Sequence, residues 1–374
     1  MRDKWVYNND FRGMDWQQVH DEYAPRVAAA ATSESFYALM HELIKKLGDY
    51  RSIFLSPQEI ASLNQTATGV DTFGGIGATL KVVPEGGVIL QVVQGAPADL
   101  AGLKPGDMIQ AVEGVAYSTL EASNPGGGVA TIRGPVGTSV RLSVQSPDGK
   151  SRSLDITRAV ISSSATPESA IQVSRLPGTQ VGLLIIINFS SPDLPTQINT
   201  QLQKLLLVAP LDGLIIDVRR SQGVTSDNQM RGTLALFNDG GSIGAYRGPS
   251  INSLVNIPQG ATLPGLKNVP IVVLTSRDTE GVKEIFASGM QVLKRARIVG
   301  MPSNGVTEVR STYNLPDGSQ LLLGVGFYLR PDGTSIEGKG VQPDRVVDGK
   351  WYIYLSTPGD DPQIKGALEE LRKK

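Results

Sequence analysis

The chain has 374 residues, which is enough for two or three domains that each bury their own core. Its formal charge of −1 and isoelectric point near 6.2 give no electrostatic reason to expect nucleic acid or an anionic membrane as a partner. The absence of cysteine excludes disulfides, thiolate metal sites and cysteine nucleophiles. With only His20 and His41 present, both in a helical stretch, we expect no metal site and no cofactor.

The first predicted region, residues 1–67, is helical. Apolar residues recur at helical spacing from Phe36 to Leu47 and form a single stripe. Ser33 is placed to cap this helix, and Gly48 is placed to end it. A helical hairpin with one apolar face either packs on the rest of its own chain or pairs with a second copy, so a homodimer through these helices stays open.

The second predicted region, residues 68–160, consists of short β-branched strands separated by glycine- and proline-rich turns. The strands are expected at Val88–Val93, Met108–Val112, Ser139–Val144 and Ser153–Ile156. A short helix is predicted at Pro97–Ala101. The small polar tract Ser162–Ala165 is typical of a linker.

The third predicted region, residues 161–374, alternates strands and helices. Nearly continuous apolar runs predict buried strands, and helical periodicity predicts the segments between them. The strands are expected at Gly182–Ile187, Gly213–Val218, Val269–Thr275 and Ile298–Gly300, and the helices at Pro195–Leu207 and Thr279–Arg295. Such alternation indicates an α/β core with a largely parallel sheet.

A glycine loop precedes the strand predicted at Ala78–Val83. Its residues are Gly74, Gly75, Ile76 and Gly77. Glycines at this spacing let successive backbone N–H groups turn inward and form a nest suited to a carboxylate. The run from Gly95 to Ile109 that follows resembles the circularly permuted PDZ domain of bacterial-type proteases. That resemblance implies binding of C-terminal peptides as an added strand. The alternative is a PDZ fold with a closed, vestigial groove.

Further segments resemble the carboxyl-terminal processing (tail-specific) serine proteases. The strand Leu214–Arg219 and the C-terminal runs Leu315–Ser319 and Tyr328–Asp344 match that family's signatures. The segment Gly48–Leu55 also resembles a family segment, although Arg51 stands where a histidine is usual. The resemblance implies an α/β multidomain protein: an N-terminal helical segment, an inserted PDZ β-sandwich or barrel, and a protease-like core.

The same resemblance places the family's catalytic positions on residues that cannot perform its chemistry. Aligning Glu284 puts Gly281 at the serine nucleophile, Val306 at the lysine base and Arg310 at the glutamine. The oxyanion loop, Ser221 to Val224, retains only Gly223 of its two glycines. None of the catalytic residues is intact, and the loss of several together favours natural decay of the site over a single engineered change.

A displaced catalytic pair is the alternative that the sequence leaves open. Thr279 and Lys283 are four residues apart on a predicted helix and would share one face, where a lysine base could activate a hydroxyl. The ordinary interpretation is that Thr279 caps the helix and Lys283 is solvated. Ser276 with Lys294 is a weaker pair.

The leading hypothesis is therefore an inactive peptidase homologue that binds C-terminal peptides through its PDZ domain, as an adaptor or regulator. The alternatives are an active serine-type endopeptidase with a displaced Ser/Thr–Lys pair, and a structural protein that dimerises through its N-terminal helices. The resemblance implies an extracytoplasmic setting. No signal peptide is visible, and the longest apolar run, Val181–Ile187, has the length of a buried strand and not of a membrane span.

Overall fold

The computed structural model describes residues 3–7, 11–49, 52–61, 72–123, 126–162, 170–221 and 226–373. Within them the mixed α/β architecture is confirmed, with an antiparallel β domain, an α/β core and a further antiparallel sheet beside the core. The predicted boundary at 67/68 lies outside the described residues. The boundary at 160/161 falls inside a strand, Ala159–Ser162, so Ser162 belongs to a strand and not to the predicted linker; residues 163–165 lie outside the described residues.

The N-terminal region contains two helices, α1 (Trp16–Ala28) and α2 (Ser33–Lys46). Thr32, and not Ser33, is the N-cap of α2, because its hydroxyl accepts the Ser35 amide. The apolar stripe of α2 packs on the strand β1 (Ile53–Leu55), with Ile44 buried beside Phe54. Packing within the chain thus uses this face, and pairing with a second copy remains a prediction.

The second region is an antiparallel sheet around its own apolar core. Its strands are β2 (Thr72–Gly75), β3 (Ala78–Val83), β4 (Gly86–Val92), β5 (Met108–Val112), β6 (Val115–Ala116), β7 (Ser139–Gln145), β8 (Ser151–Thr157) and β9 (Ala159–Ser162). Its helices are α3 (Pro97–Leu100), α4 (Tyr117–Ser123) and α5 (Gly127–Ile132). The main sheet has the order β3-β4-β5-β7-β8, so β3 is an edge strand with one side unpaired in the described chain. A separate pair joins β2 to β9.

The core is a six-stranded sheet between helices. Its strands are β10 (Ile171–Arg175), β11 (Val181–Ile186), β12 (Gly213–Asp217), β15 (Ile271–Thr275), β16 (Arg297–Gly300) and β19 (Arg345–Val346), in that order across the sheet. The helices are α6 (Leu194–Val208), α7 (Asp227–Ala235), α8 (Val282–Val292) and α9 (Pro362–Leu371). Every pairing except β10–β11 is parallel, which agrees with the predicted largely parallel sheet. The helices α6, α7 and α8 contribute to one apolar cluster, and α9 to another.

A second sheet flanks the core and connects it to the N-terminal helices. It has the order β1-β18-β13-β14, with a further strand, β17, on β18. Its strands beyond β1 are β13 (Ser242–Gly248), β14 (Ile251–Asn256), β17 (Val309–Asn314) and β18 (Gln320–Leu329).

The antiparallel domain docks on the core through a mixed seam. Val83, Val88 and Met108 pack against Trp351 and Tyr352, which lie in a short helical turn near the C-terminus. Beside this apolar contact, the Lys350 ammonium lies 2.8 Å from the Glu85 carboxylate. The seam therefore brings one edge of the β domain close to the carboxyl ends of the core strands.

Candidate functional site

The first feature of the site is the turn that leads from β15 into α8. Gly281 has φ 64° and ψ −132°, and α8 begins at the next residue. A non-glycine side chain would be strained in this conformation. The Gly281 amide donates to the carbonyl oxygen of Val306 across 2.9 Å. The positions proposed from sequence for the nucleophile and the base are thus neighbours, although 24 residues of chain separate them.

Glu284 holds this neighbourhood together from the first turn of α8. One carboxylate oxygen accepts from the Ser303 hydroxyl and the Gly305 amide, both at 2.5 Å. The other accepts from the amides of Val306 and Gly281, at 2.8 and 3.0 Å. Burial raises the pKa of Glu284 above its ordinary value, against the opposing effect of these four hydrogen bonds. The carboxylate here organises the backbone.

The side chains at the aligned positions supply neither a nucleophile nor a base. Gly281 has no side chain, and Val306 presents an isopropyl group that cannot carry a proton. Arg310 lies exposed on β17, where it is paired in register with Gly324. The oxyanion-loop remnant, Gly223, lies outside the described residues.

The alternative pair does not have the predicted helical geometry. The helix α8 begins at Val282, so Thr279 precedes it, and the interpretation of Thr279 as helix cap is wrong because Gly281 occupies that position. The Thr279 hydroxyl accepts the Ser276 amide at 3.0 Å. Lys283 is buried and not solvated, with its ammonium donating to the Ser221 carbonyl at 3.3 Å. Lys294, the partner in the weaker pair, lies beyond the opposite end of α8.

Sequence reasoning missed a second lysine at this centre. Lys81, on β3, is 8% exposed, and its ammonium donates to the carbonyl oxygens of Ser221 and Asp278 at 3.4 and 3.3 Å. Burial lowers the pKa of Lys81 below its ordinary value, and the carboxylates of Asp278 and Glu280 oppose this only in part. The hydroxyl of Ser221 is buried without a hydrogen-bond partner in the described structure. A lysine within an otherwise largely apolar strand was the available signal.

The glycine loop of the β domain has free hydrogen-bond donors. The carbonyls of Ile76 and Gly77 accept from Ala98 and Val93, at 2.7 and 2.8 Å. Across the described residues, the amides of Ile76 and Gly77 have no acceptor. Gly77 has φ +75°, and a Cβ there would lie 2.4 Å from the Cβ of Ala96. The loop thus offers two adjacent N–H donors at the start of the free edge of β3, and such a pair can bind a carboxylate.

No helix in the described chain is long and apolar enough to cross a bilayer. The described residues also contain no group of three or more histidine, aspartate or glutamate side chains placed to hold a metal ion.

Comparison with known proteins gives three family matches. Peptidase family S41 matches residues 180–347, a PDZ domain matches residues 68–145, and the Tricorn protease C1 domain matches residues 1–45.

Individual relatives match along most of the chain. The carboxyl-terminal-processing protease of Synechocystis sp. is 27% identical over 372 residues, covering 96% of this chain and 82% of the relative. The carboxy-terminal-processing protease of Bartonella bacilliformis is 30% identical over 338 residues, covering 86% and 73%. Among solved structures, a photosystem II D1 C-terminal processing protease superposes with a TM-score of 0.67 at 21% identity, covering 92% of this chain and 89% of the other.

Proposed function

The chain belongs to the carboxyl-terminal processing protease family, and on that premise we propose that it binds C-terminal peptides through its PDZ domain without cutting them. The observation that carries the proposal is that, among the described residues, the amides of Ile76 and Gly77 have no acceptor and the adjacent edge of β3 has no partner strand. A peptide that extends β3 would satisfy backbone groups on that edge, and its terminal carboxylate would accept from the loop.

The side chains beside the free edge suit an apolar terminal residue. Ala78 and Leu80 are half-buried and pack against the apolar core of the PDZ domain. A carboxylate accepted by backbone N–H groups forms charge-assisted hydrogen bonds, which are stronger than those of a neutral amide. We therefore expect affinity to depend on a free C-terminus more than on the identity of internal residues.

The absence of peptide cleavage is the second part of the proposal. Hydrolysis of an amide by this family's chemistry needs a hydroxyl nucleophile beside a neutral lysine. Positions 281 and 306 are adjacent but hold glycine and valine. At the displaced alternative, the Thr279 hydroxyl accepts the Ser276 amide and the Lys283 ammonium donates to the Ser221 carbonyl. The protein would then hold a polypeptide tail intact, as an adaptor or regulator.

Two labelled peptides test both parts with the full chain. A fluorescein-labelled, unstructured decapeptide ending in an apolar residue is titrated by fluorescence polarisation, as the free acid and as the C-terminal amide. We expect the free acid to bind saturably and the amide to bind at least about tenfold more weakly, a difference of about 1.4 kcal/mol in binding free energy. The mass of the peptide should be unchanged after overnight incubation.

Each part can fail separately. Equal affinity for acid and amide, or no binding across a panel of C-terminal sequences, would show that the groove is vestigial and would favour the structural role. Peptide fragments that persist through further purification would overturn inactivity. Labelling by a serine- and threonine-directed covalent reagent, lost in Thr279→Ala, would then support the displaced pair.

The cellular setting of this activity is also a proposal. Among the relatives, an Arabidopsis thaliana peptidase 24% identical over 377 residues is named chloroplastic, as is a relative from Tetradesmus obliquus. We propose an extracytoplasmic compartment for this chain. Fractionation of cells that express the native gene, followed by immunoblotting, tests this setting, and a signal confined to the cytosol contradicts it.

A further inference from the structure

A basic cavity lies at the end of the core sheet opposite to Gly281. Its volume is about 430 Å³, and its lining includes Ile271 and Arg297, the first residues of β15 and β16. Because the parallel strands run away from it, the cavity is separated by the length of the sheet from the turn at Gly281 and from Lys81. Nothing in the proposed peptide-binding function uses it.

The charge of the lining is far from that of the whole chain. Four cationic side chains, Lys267, Lys294, Arg295 and Arg297, line the cavity together with a single carboxylate, Asp344. The formal charge of the lining is thus +3, in a chain whose formal charge is −1. The Asp344 carboxylate is engaged by the Ile298 amide at 2.7 Å. A concentration of one sign of charge in a concave site attracts counter-ions.

Three of the four cations, Lys267, Lys294 and Arg295, have no anionic partner among the described residues. In the described part of the chain, no carboxylate lies within 4.0 Å of the Lys267 or the Lys294 ammonium, and both side chains are exposed. Arg297 does have a partner, since its guanidinium lies 2.8 Å from Glu370. The two lysines and Arg295 are therefore the groups whose charge is available to a ligand.

Arg295 is fixed in position before any ligand arrives. Its guanidinium donates to the carbonyl oxygens of Phe237, Val269 and Leu266, at 2.9, 3.0 and 2.5 Å. These contacts use three of the five N–H groups of the guanidinium and bring no negative charge to it. A cation held by neutral groups keeps its full attraction for an anion and loses little side-chain freedom on binding.

The backbone of Lys294 adopts a left-handed conformation, which is a second sign that this lysine has a functional role. The Lys294 and Arg295 amides close the end of α8 by donating to Gln291 and Met290, at 3.0 and 2.9 Å, which is the Schellman pattern. Lys294 occupies the left-handed position of that pattern, with φ 53°, where glycine is usual. The stabilisation that a cation gains from a helix C-terminus is no larger than the cost of this conformation. Lys294 thus adopts a backbone conformation that a lysine disfavours.

We propose that the basic cavity binds a small phosphate-bearing polyanion, with inorganic diphosphate as the simplest example. With Arg297 paired to Glu370, the lysines, Arg295 and Asp344 leave a formal charge of +2, which exceeds the half unit of negative charge that the end of α8 contributes, so an anion is favoured there. The volume falls within the range of small-molecule sites. The lining contains no aromatic ring on which a nucleobase could stack, so the phosphates carry the recognition. Lysine ammonium groups and arginine guanidinium groups are the side chains that proteins commonly use to bind phosphate.

Isothermal titration of the full chain with sodium diphosphate tests the proposal, at constant ionic strength and with EDTA present. We expect one saturable site, with affinity that falls as potassium chloride is raised. Lys294→Asn and Lys267→Met should each weaken binding about tenfold or more. Lys204→Met changes an exposed lysine on α6, outside the cavity, and should bind as the wild type does.

Thermal unfolding of the same variants separates loss of charge from loss of fold. Asparagine tolerates the left-handed conformation, so the unliganded Lys294→Asn protein should unfold at the wild-type temperature or above it. The proposal is overturned if diphosphate at millimolar concentration gives no saturable heat, if both cavity variants bind like the wild type, or if a poly-glutamate peptide binds there and diphosphate does not. The outcome is independent of peptide binding at the PDZ domain.

Discussion

The ammonium group of Lys81 lies 3.4 Å from the carbonyl oxygen of Ser221 and so joins the PDZ domain to the candidate site of the core. The contact bridges 140 residues of sequence and is buried. Lys283 donates to the same carbonyl oxygen at 3.3 Å. Two cations therefore converge on one peptide group at the place where the two domains meet.

The burial of Lys81 predicts a specific pH dependence of stability. Because burial lowers the pKa of Lys81 in the folded state, the unfolded chain binds more protons below the ordinary value of 10.5. The unfolding free energy of the wild type should therefore rise, relative to that of Lys81→Met, as the pH increases from neutral towards 10.5. Urea unfolding at a series of pH values measures it. Lys104→Met, which alters an exposed lysine of the same domain, is the control, and parallel curves for wild type and Lys81→Met would contradict the prediction.

Removal of the buried guanidinium of Arg219 should be strongly destabilising. Arg219 lies 2.8 Å from both Asp217 and Asp361, and all three side chains are almost completely buried. Arg219→Met leaves Asp361 without its cation and leaves Asp217 with only the Arg220 guanidinium, 3.7 Å away, which should cost about 3–5 kcal/mol of unfolding free energy. Arg141→Met breaks an exposed pair with Asp155 and should cost about 1 kcal/mol or less. Chemical denaturation compares the two variants, and similar losses would be inconsistent with this account.

Glu284→Gln tests whether the carboxylate organises the turn between the two aligned positions. All four hydrogen-bond partners given above for Glu284 are donors, two on each carboxylate oxygen. In the glutamine variant, the NH₂ group would replace one of these oxygens and would face two donors without accepting from either. The expected loss is about 1–3 kcal/mol in unfolding free energy. Glu280→Gln, an exposed change four residues earlier, should be nearly neutral. Equal stability of both variants in urea would show that Glu284 has no such role.

Two glycines with the same backbone angle separate strain from peptide binding. Gly77 and Gly95 both have φ +75°, so the left-handed backbone by itself should cost an alanine at either position about 1–2 kcal/mol of stability. Only at Gly77 does the added Cβ meet a neighbour, Ala96, next to the free amides. Gly77→Ala should therefore weaken binding of the free-acid peptide about tenfold or more, and Gly95→Ala should leave the affinity unchanged. Fluorescence polarisation decides, and equal losses would place the recognition elsewhere.

Sequence signals predicted the bounds of helices and strands well where the local residues alone determine the backbone conformation. The strand Met108–Val112 has the predicted bounds, and α6 begins within one residue of its predicted start because Pro195 suits the first turn of a helix. The start of α8 was misplaced by three residues. There the positive φ of Gly281 delays the helix, and propensity alone gives no weight to such an angle.

The contacts of the centre could be predicted only in part. Signature alignment brought Gly281 and Val306 to corresponding positions, and their backbone atoms do meet. Nothing in a linear pattern indicated that Lys81 reaches Ser221, because that contact depends on how the PDZ domain docks on the core. The burial of Lys283 was missed for the same reason: solvation of a lysine near a helix start is the ordinary case, and tertiary packing overrides it here.

The seam at Trp351 and Tyr352 has a consequence for anyone who wishes to use the PDZ domain by itself. These two rings, which bury on the order of 150–250 Å² each, come from the far end of the chain and cover Val83, Val88 and Met108. A fragment of residues 68–160 would lack these two rings and would expose an apolar patch that favours aggregation. The PDZ domain is a separate segment of the sequence, but residues within the last thirty of the chain cover part of its apolar surface. Experiments on this domain should therefore use the full chain.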